Sequence, residues 1–123
     1  MALTATTTLY DKLGGQMAVH IVVEEFYDRV LADPELKGYF AGLDMDQQTQ
    51  SQVRFISMAL GGPNEYDGRP MKEAHEDLGI TDHHFNLVAG HLVDTLKWAG
   101  VDDAEIDEVV SIVGPLKNQI VTA

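Results

Sequence analysis

The chain reads as an all-α protein. Apolar residues recur at steps of three and four through most of its length, the spacing that puts side chains on one face of a helix. No segment shows the sustained alternation of a half-buried strand. The periodic stretches are also punctuated by helix starts and stops at Gly14-Gly15, Asp33-Pro34, Asp44, Gly61-Gly62-Pro63, Thr81, Gly100 and Asp102. With 123 residues the chain fits one domain. We expect a flexible polar leader over 1–8 and a domain over 9–123 with about six helices, three of them long.

Leu9–Leu13 makes a short helical turn that Gly14-Gly15 ends. From Gln16 to Ala32, Val19, Val22, Val23, Phe26 and Val30 form one stripe, with Glu24, Glu25, Asp28 and Arg29 opposite. The β-branched run Ile21-Val22-Val23 favours a strand locally, but the absence of Gly and Pro over this stretch favours a helix. Pro34 pushes Asp33 out of the helical region and closes the element. Glu35–Phe40 reads as one tight turn of helix. Asp44 is an N-cap with Gln47 three residues on, as in a capping box, and its helix runs to Leu60. Asn64–Arg69 is a turn-rich loop containing Asp67-Gly68. Pro70 suits the first turn of a short helix, and Gly79 sits where a left-handed C-cap belongs. Thr81 caps the next helix, whose face carries Phe85, Val88, Leu92, Thr95 and Leu96 before Gly100. Asp102 and Glu105 open the last helix, striped by Ile106, Val109, Val110, Val113, Leu116 and Ile120. Pro115 lies inside that stripe, so a kink is expected near Gly114.

Composition narrows the function. Eight basic and 20 acidic side chains give a formal charge of −12, a surface that repels phosphate backbones and anionic lipid and argues against nucleic-acid or membrane partners. No apolar run approaches the roughly 20 residues of a membrane span. The leader lacks the basic-then-apolar order of a signal peptide. The absence of cysteine excludes disulfides and thiolate ligands and fits a cytoplasmic setting. A chain this short buries only about two-thirds of its unfolded surface, so a flat apolar cofactor would enlarge its core.

Few residues present themselves for chemistry. Gln48 and Gln52 share a helical stripe with Met45, Phe55, Ile56 and Ala59. They are either part of a solvated polar cluster with Gln47 and Gln50, or inward-facing amides that need a polar partner. Tyr27 either snorkels at a core edge or presents a phenol to a pocket. Of the five histidines, His83 and His84 read as an exposed first turn whose side chains diverge. His91 reads as a core-edge imidazole with one hydrogen bond, and His20 as solvated beside Glu24. His75 shares a face with Met71 and Leu78, and is either a satisfied core histidine or a ligand. No Ser-His-Asp order, HExxH or phosphate-cradling loop is present.

Taken together, Leu9-Tyr10-Asp11-Lys12-Leu13-Gly14-Gly15, Phe26-Tyr27-Asp28-Arg29-Val30-Leu31, Gly61-Gly62-Pro63 and Met71-Lys72-Glu73-Ala74-His75 resemble a group I truncated haemoglobin, from Leu9 to about Leu116. The resemblance implies a two-over-two helical sandwich around haem b. It makes His75 the proximal iron ligand, Phe40 the aromatic against the porphyrin, and Tyr27, Gln48 and Gln52 the distal groups that stabilise a ligand. Phe55, Met71, Ile80, Phe85, Val88 and Leu116 match pocket-lining positions. Some relatives carry a distal histidine where this chain has Ser51, and a haem-linking histidine where it has Pro115-Leu116-Lys117-Asn118. A pentacoordinate iron and non-covalent haem are therefore expected.

The function implied is reversible binding of O₂, with NO and CO as further ligands, for storage or transport, in a monomer or weak dimer. Slow O₂ release is expected from the distal donors. The alternative is nitric oxide dioxygenation, NO and O₂ to nitrate, which needs a redox partner to restore ferrous haem.

Overall fold

The computed structural model describes residues 8–62, 66, 75 and 78–121. Among them every regular element is helical: α1 (Leu9–Leu13), α2 (Gly15–Ala32), a 3₁₀ turn (Lys37–Phe40), α3 (Met45–Ala59), α4 (Asp82–Trp98), α5 (Asp103–Val113), a second 3₁₀ turn (Gly114–Leu116) and α6 (Lys117–Ile120). α2 packs on α3 and on α4, and α4 packs on α5, so two long helices stack over two. This is the two-over-two sandwich.

Local chemistry sets the boundaries. Thr8 Oγ1 accepts from Asp11 N at 3.1 Å, so the last leader position caps α1. Asp44 Oδ1 accepts from the amides of Asp46 and Gln47, Thr81 Oγ1 from that of His84, and Asp102 Oδ1 from that of Glu105. Each satisfies a donor that a helix start leaves unpaired. Asp33 is extended, as Pro34 requires, and ends α2. Gly61, Gly79 and Gly100 all have positive φ at the ends the sequence assigns them.

Two expectations change. The final helix does not merely kink. It stops at Val113, winds as 3₁₀ over Gly114–Leu116, and resumes as α6, because Pro115 cannot donate to the α-helical ladder. Val110 is 42% exposed: Ile106 and Val109 already fill the narrow seam of α5, leaving Val110 at its edge. The loop expected over 64–69 and the helix expected over 70–78, Met71 included, lie outside the described residues except for Tyr66, His75 and Leu78. So does the leader before Thr8.

The core has two parts. Val19, Val23, Phe26, Tyr27, Val30, Leu36 and Val53 pack together. Leu9, Val22, Leu60, Leu96, Ile106 and Val109 form the second cluster. A cavity opens against the first.

Candidate cofactor cavity

The cavity measures about 450 Å³, within the range of small-molecule sites. It draws its walls from α2, α3, the Lys37–Phe40 turn, α4 and the 113–120 segment. Every described residue expected at the site lines it: Tyr27, Phe40, Gln48, Gln52, Phe55, His75, Ile80, Phe85, Val88 and Leu116.

Tyr27 follows from the α2 stripe, one residue after Phe26, and is buried. Burial pushes its phenol above the ordinary tyrosine range, while the hydrogen bond from Gln48 acts the other way. Gln48 Nε2 donates to Tyr27 Oη at 3.1 Å. The phenolic proton is therefore not used on Gln48 and remains available as a donor. Phe40 meets the Tyr27 ring edge-on, centroids 5.6 Å apart at 72°, which fixes the phenol from the side. Phe55 meets Tyr66 in the same manner, at 5.3 Å and 73°. The two readings of the glutamines divide by position. Gln48 and Gln52 reach the cavity, whereas Gln47 and Gln50 line an outer groove with Asp44 and Arg54 that Gln48 and Ser51 share.

His75 lies in helical backbone, half-buried, and its carbonyl accepts from Leu78 N at 3.0 Å. Among the described residues no cluster of three His, Cys, Asp or Glu side chains could hold a bare metal ion. His75 and His84 both line the cavity, and His84 is engaged by Tyr39; His75, among aromatic and aliphatic walls, instead suits a metal whose other ligands come with a flat apolar cofactor. The residues present fit haem on that ground.

The three histidines of α4 are partnered toward the 33–39 connector, while His20 on α2 pairs with Glu24 at 3.3 Å. His91 Nε2 lies 2.8 Å from Asp33 Oδ2, the single core-edge hydrogen bond expected of it. His83 pairs with Glu35 at 3.1 Å in solvent. His84 is a correction: it is half-buried, lines the cavity, and sits 2.6 Å from Tyr39 Oη through Nδ1. The signal was present, since His84, Val88 and Leu92 step by fours down one face once Thr81 fixes the helix start. Tyr39 and the fully buried Leu36 were also missed as cavity residues, because a tight turn has no periodicity to reveal its inward side.

A helical sandwich enclosing a largely apolar pocket that carries His75 defines the class, a globin. The chain belongs to the bacterial-like globin family, whose model matches residues 8–122, and it is a haem globin of the truncated haemoglobin type. "Group 1 truncated hemoglobin GlbN" of Mycolicibacterium paratuberculosis is 49% identical over 115 residues, covering 94% of this chain and 85% of that protein. The crystal structure of truncated hemoglobin from Tetrahymena pyriformis, Fe(III) form, superposes with a TM-score of 0.90 at 41% identity, covering 93% of this chain and 97% of the other. The 2/2 hemoglobin from Synechococcus sp. PCC 7002, with covalently attached heme, gives 0.89 at 43% identity, covering 94% and 99%. No helix among the described residues is long and apolar enough to cross a membrane.

Proposed function

We propose that this chain holds haem b non-covalently through His75, and binds O₂, and likewise NO and CO, reversibly. When bound, the cofactor would supply an iron atom able to take a diatomic ligand. The observation that carries the reading is the Tyr27–Gln48 pair on the same cavity as the imidazole of His75.

The protein's share is local. Neutral imidazole is the form that ligates iron, and His75 is the residue that would hold it. Tyr27 stays protonated because its phenol is buried, so it can donate to a ligand that takes on partial negative charge. The amide of Gln52 offers a second donor from the next turn of α3. Phe40, Phe55, Ile80, Phe85, Val88 and Leu116 supply apolar walls that keep water out and strengthen those hydrogen bonds. Ser51 and the 115–118 segment carry no histidine, which supports an open sixth position and an untethered cofactor.

Visible spectroscopy of the purified protein tests the reading: a Soret band is expected, and His75→Gly should shift it and speed haem loss to a scavenger globin. An unaltered spectrum with the pigment still anchored would overturn it. The same pocket would serve nitric oxide dioxygenation. NO consumption by the oxygenated protein, with and without added reductant, separates sustained turnover from simple binding.

A further inference from the structure

A second polar pair on the cavity wall has no part in the reading above. Tyr39 Oη and His84 Nδ1 are 2.6 Å apart, at the short end for a hydrogen bond. Their rings meet edge-on at 5.4 Å and 78°, and both line the cavity. The two residues come from different elements, the Lys37–Phe40 turn and the first turn of α4. The Thr81 cap holds the amide of His84 itself, so the imidazole is placed by backbone. With neutral imidazole the phenol donates to Nδ1 and the ring proton resides on Nε2.

A phenol is hard to oxidise when its proton has nowhere to go, because the first product is then a high-energy phenol cation. A base in direct hydrogen bond removes that obstacle, since electron and proton leave in one step. Of the other cavity phenols, Tyr27 faces an amide donor from Gln48 rather than a base, and Tyr66 meets the ring of Phe55.

We propose that Tyr39 and His84 form a proton-coupled electron donor on the cavity wall, oxidised by small neutral radicals that an apolar cavity admits, of the class of nitrogen dioxide. In the step, the Tyr39 O–H bond breaks, one electron passes to nitrogen dioxide to give nitrite, and the proton passes to His84 Nδ1. Tyr39 becomes a neutral phenoxyl radical hydrogen-bonded to an imidazolium. A one-electron reductant of the ascorbate class gives its electron to the phenoxyl, His84 returns the proton to the oxygen, and the pair is restored. A second nitrogen dioxide can instead bond to the phenoxyl ring, and the displaced ring hydrogen moves to the oxygen, leaving 3-nitrotyrosine as a permanent mark.

That mark gives the test. Purified protein, with cyanide added so that bound haem takes no part, is exposed to a low dose of nitrogen dioxide, and nitration is mapped by peptide mass spectrometry. Tyr39 should be nitrated ahead of Tyr10, which is similarly half-buried and is not paired with an imidazole in the structure. His84→Gln keeps a hydrogen-bond acceptor but no base. It should slow radical formation at Tyr39 roughly 10²-fold, the low end of what a positioned base contributes, and bring its nitration down to the level of Tyr10. Equal nitration of Tyr39 and Tyr10 in the unmodified protein would overturn the proposal without any variant. So would undiminished Tyr39 nitration in folded His84→Gln.

Discussion

At the scale of single residues, the cavity is governed by what each polar group has left to give. Tyr27 Oη already accepts from Gln48, so its proton is its remaining asset. A hydrogen bond to a charged group is worth about 1.5–3 kcal/mol, and each 1.4 kcal/mol is tenfold. Tyr27→Phe should therefore accelerate O₂ release roughly 10- to 100-fold, measured by stopped-flow displacement with CO. An unchanged off-rate would remove Tyr27 from ligand stabilisation. Asp33 has a different task. The hydrogen bond from His91, then the Glu35 amide at 2.9 Å, hold its carboxyl below the usual carboxylate range, helped by the charges of His91 and His83. A folded-state value below the unfolded one contributes stability that is present above the unfolded value and is lost as pH falls through the folded one. The window is thus below about pH 4. Asp33→Asn should lower the melting temperature at pH 6–7, and its deficit should shrink as the pH is taken down through that window. A deficit independent of pH would show that the charge of Asp33 is not what ties α2 to α4.

At the scale of elements, helix starts were legible because a cap is a local event. Asp44, Thr81 and Asp102 each bond an amide two or three residues ahead, and nothing distant is needed to foresee it; Thr8 does the same for α1 from a position assigned to the leader. Asp102→Ala should cost about 1 kcal/mol in urea denaturation, with α5 frayed at its first turn; a change within error would mean that packing alone sets that terminus. The glycine pair after α3 was legible only as a break, and its two members act differently. Gly61 has φ +89°, a backbone setting that suits glycine. At Gly62 a Cβ would come within 2.6 Å of the Tyr10 ring and 2.9 Å of the Ser57 carbonyl, which itself accepts from Gly62 N at 2.7 Å. Gly62→Ala should therefore destabilise by about 1–3 kcal/mol, as overpacking does, and loosen α1 from the end of α3, where Tyr10 N bonds Leu60 O. Wild-type stability in that variant would show that Tyr10 moves aside at no cost. Such contacts between α1 and α3 could not be read from spacing, since they depend on how two elements meet. The inward turn of Tyr39 and Leu36 escaped for the same reason. Val110 was misplaced because a stripe tells which face is apolar, not how wide a seam the neighbour offers.

For the whole molecule, the arrangement of the core sets how far the fold depends on what fills the cavity. One cluster joins α2, α3 and the connector; the other joins α1, α4 and α5 to Val22 of α2 and to Leu60 at the end of α3. Tyr10, Ile56 and Leu92 pack against both, and Ile56 and Leu92 also line the cavity. Two of the three side chains that bridge the clusters thus border space that protein atoms leave open, with Val88 and Phe85 beside them on α4. A cofactor seated there would add apolar contact to both layers at once. Linkage gives the scale: a ligand present at about 1,000 times its dissociation constant and bound only to the folded state contributes roughly 4 kcal/mol. The haem-free protein should therefore melt several degrees lower than the haem-loaded form and unfold less cooperatively. The largest loss of amide protection should fall on the stretch of α4 that borders the cavity rather than on α5, whose Ile106 and Val109 pack in the other cluster. Hydrogen exchange of the two forms, read helix by helix, checks this. Uniform loss of protection across α4 and α5 would show that the clusters fold as one unit whether or not the cavity is filled.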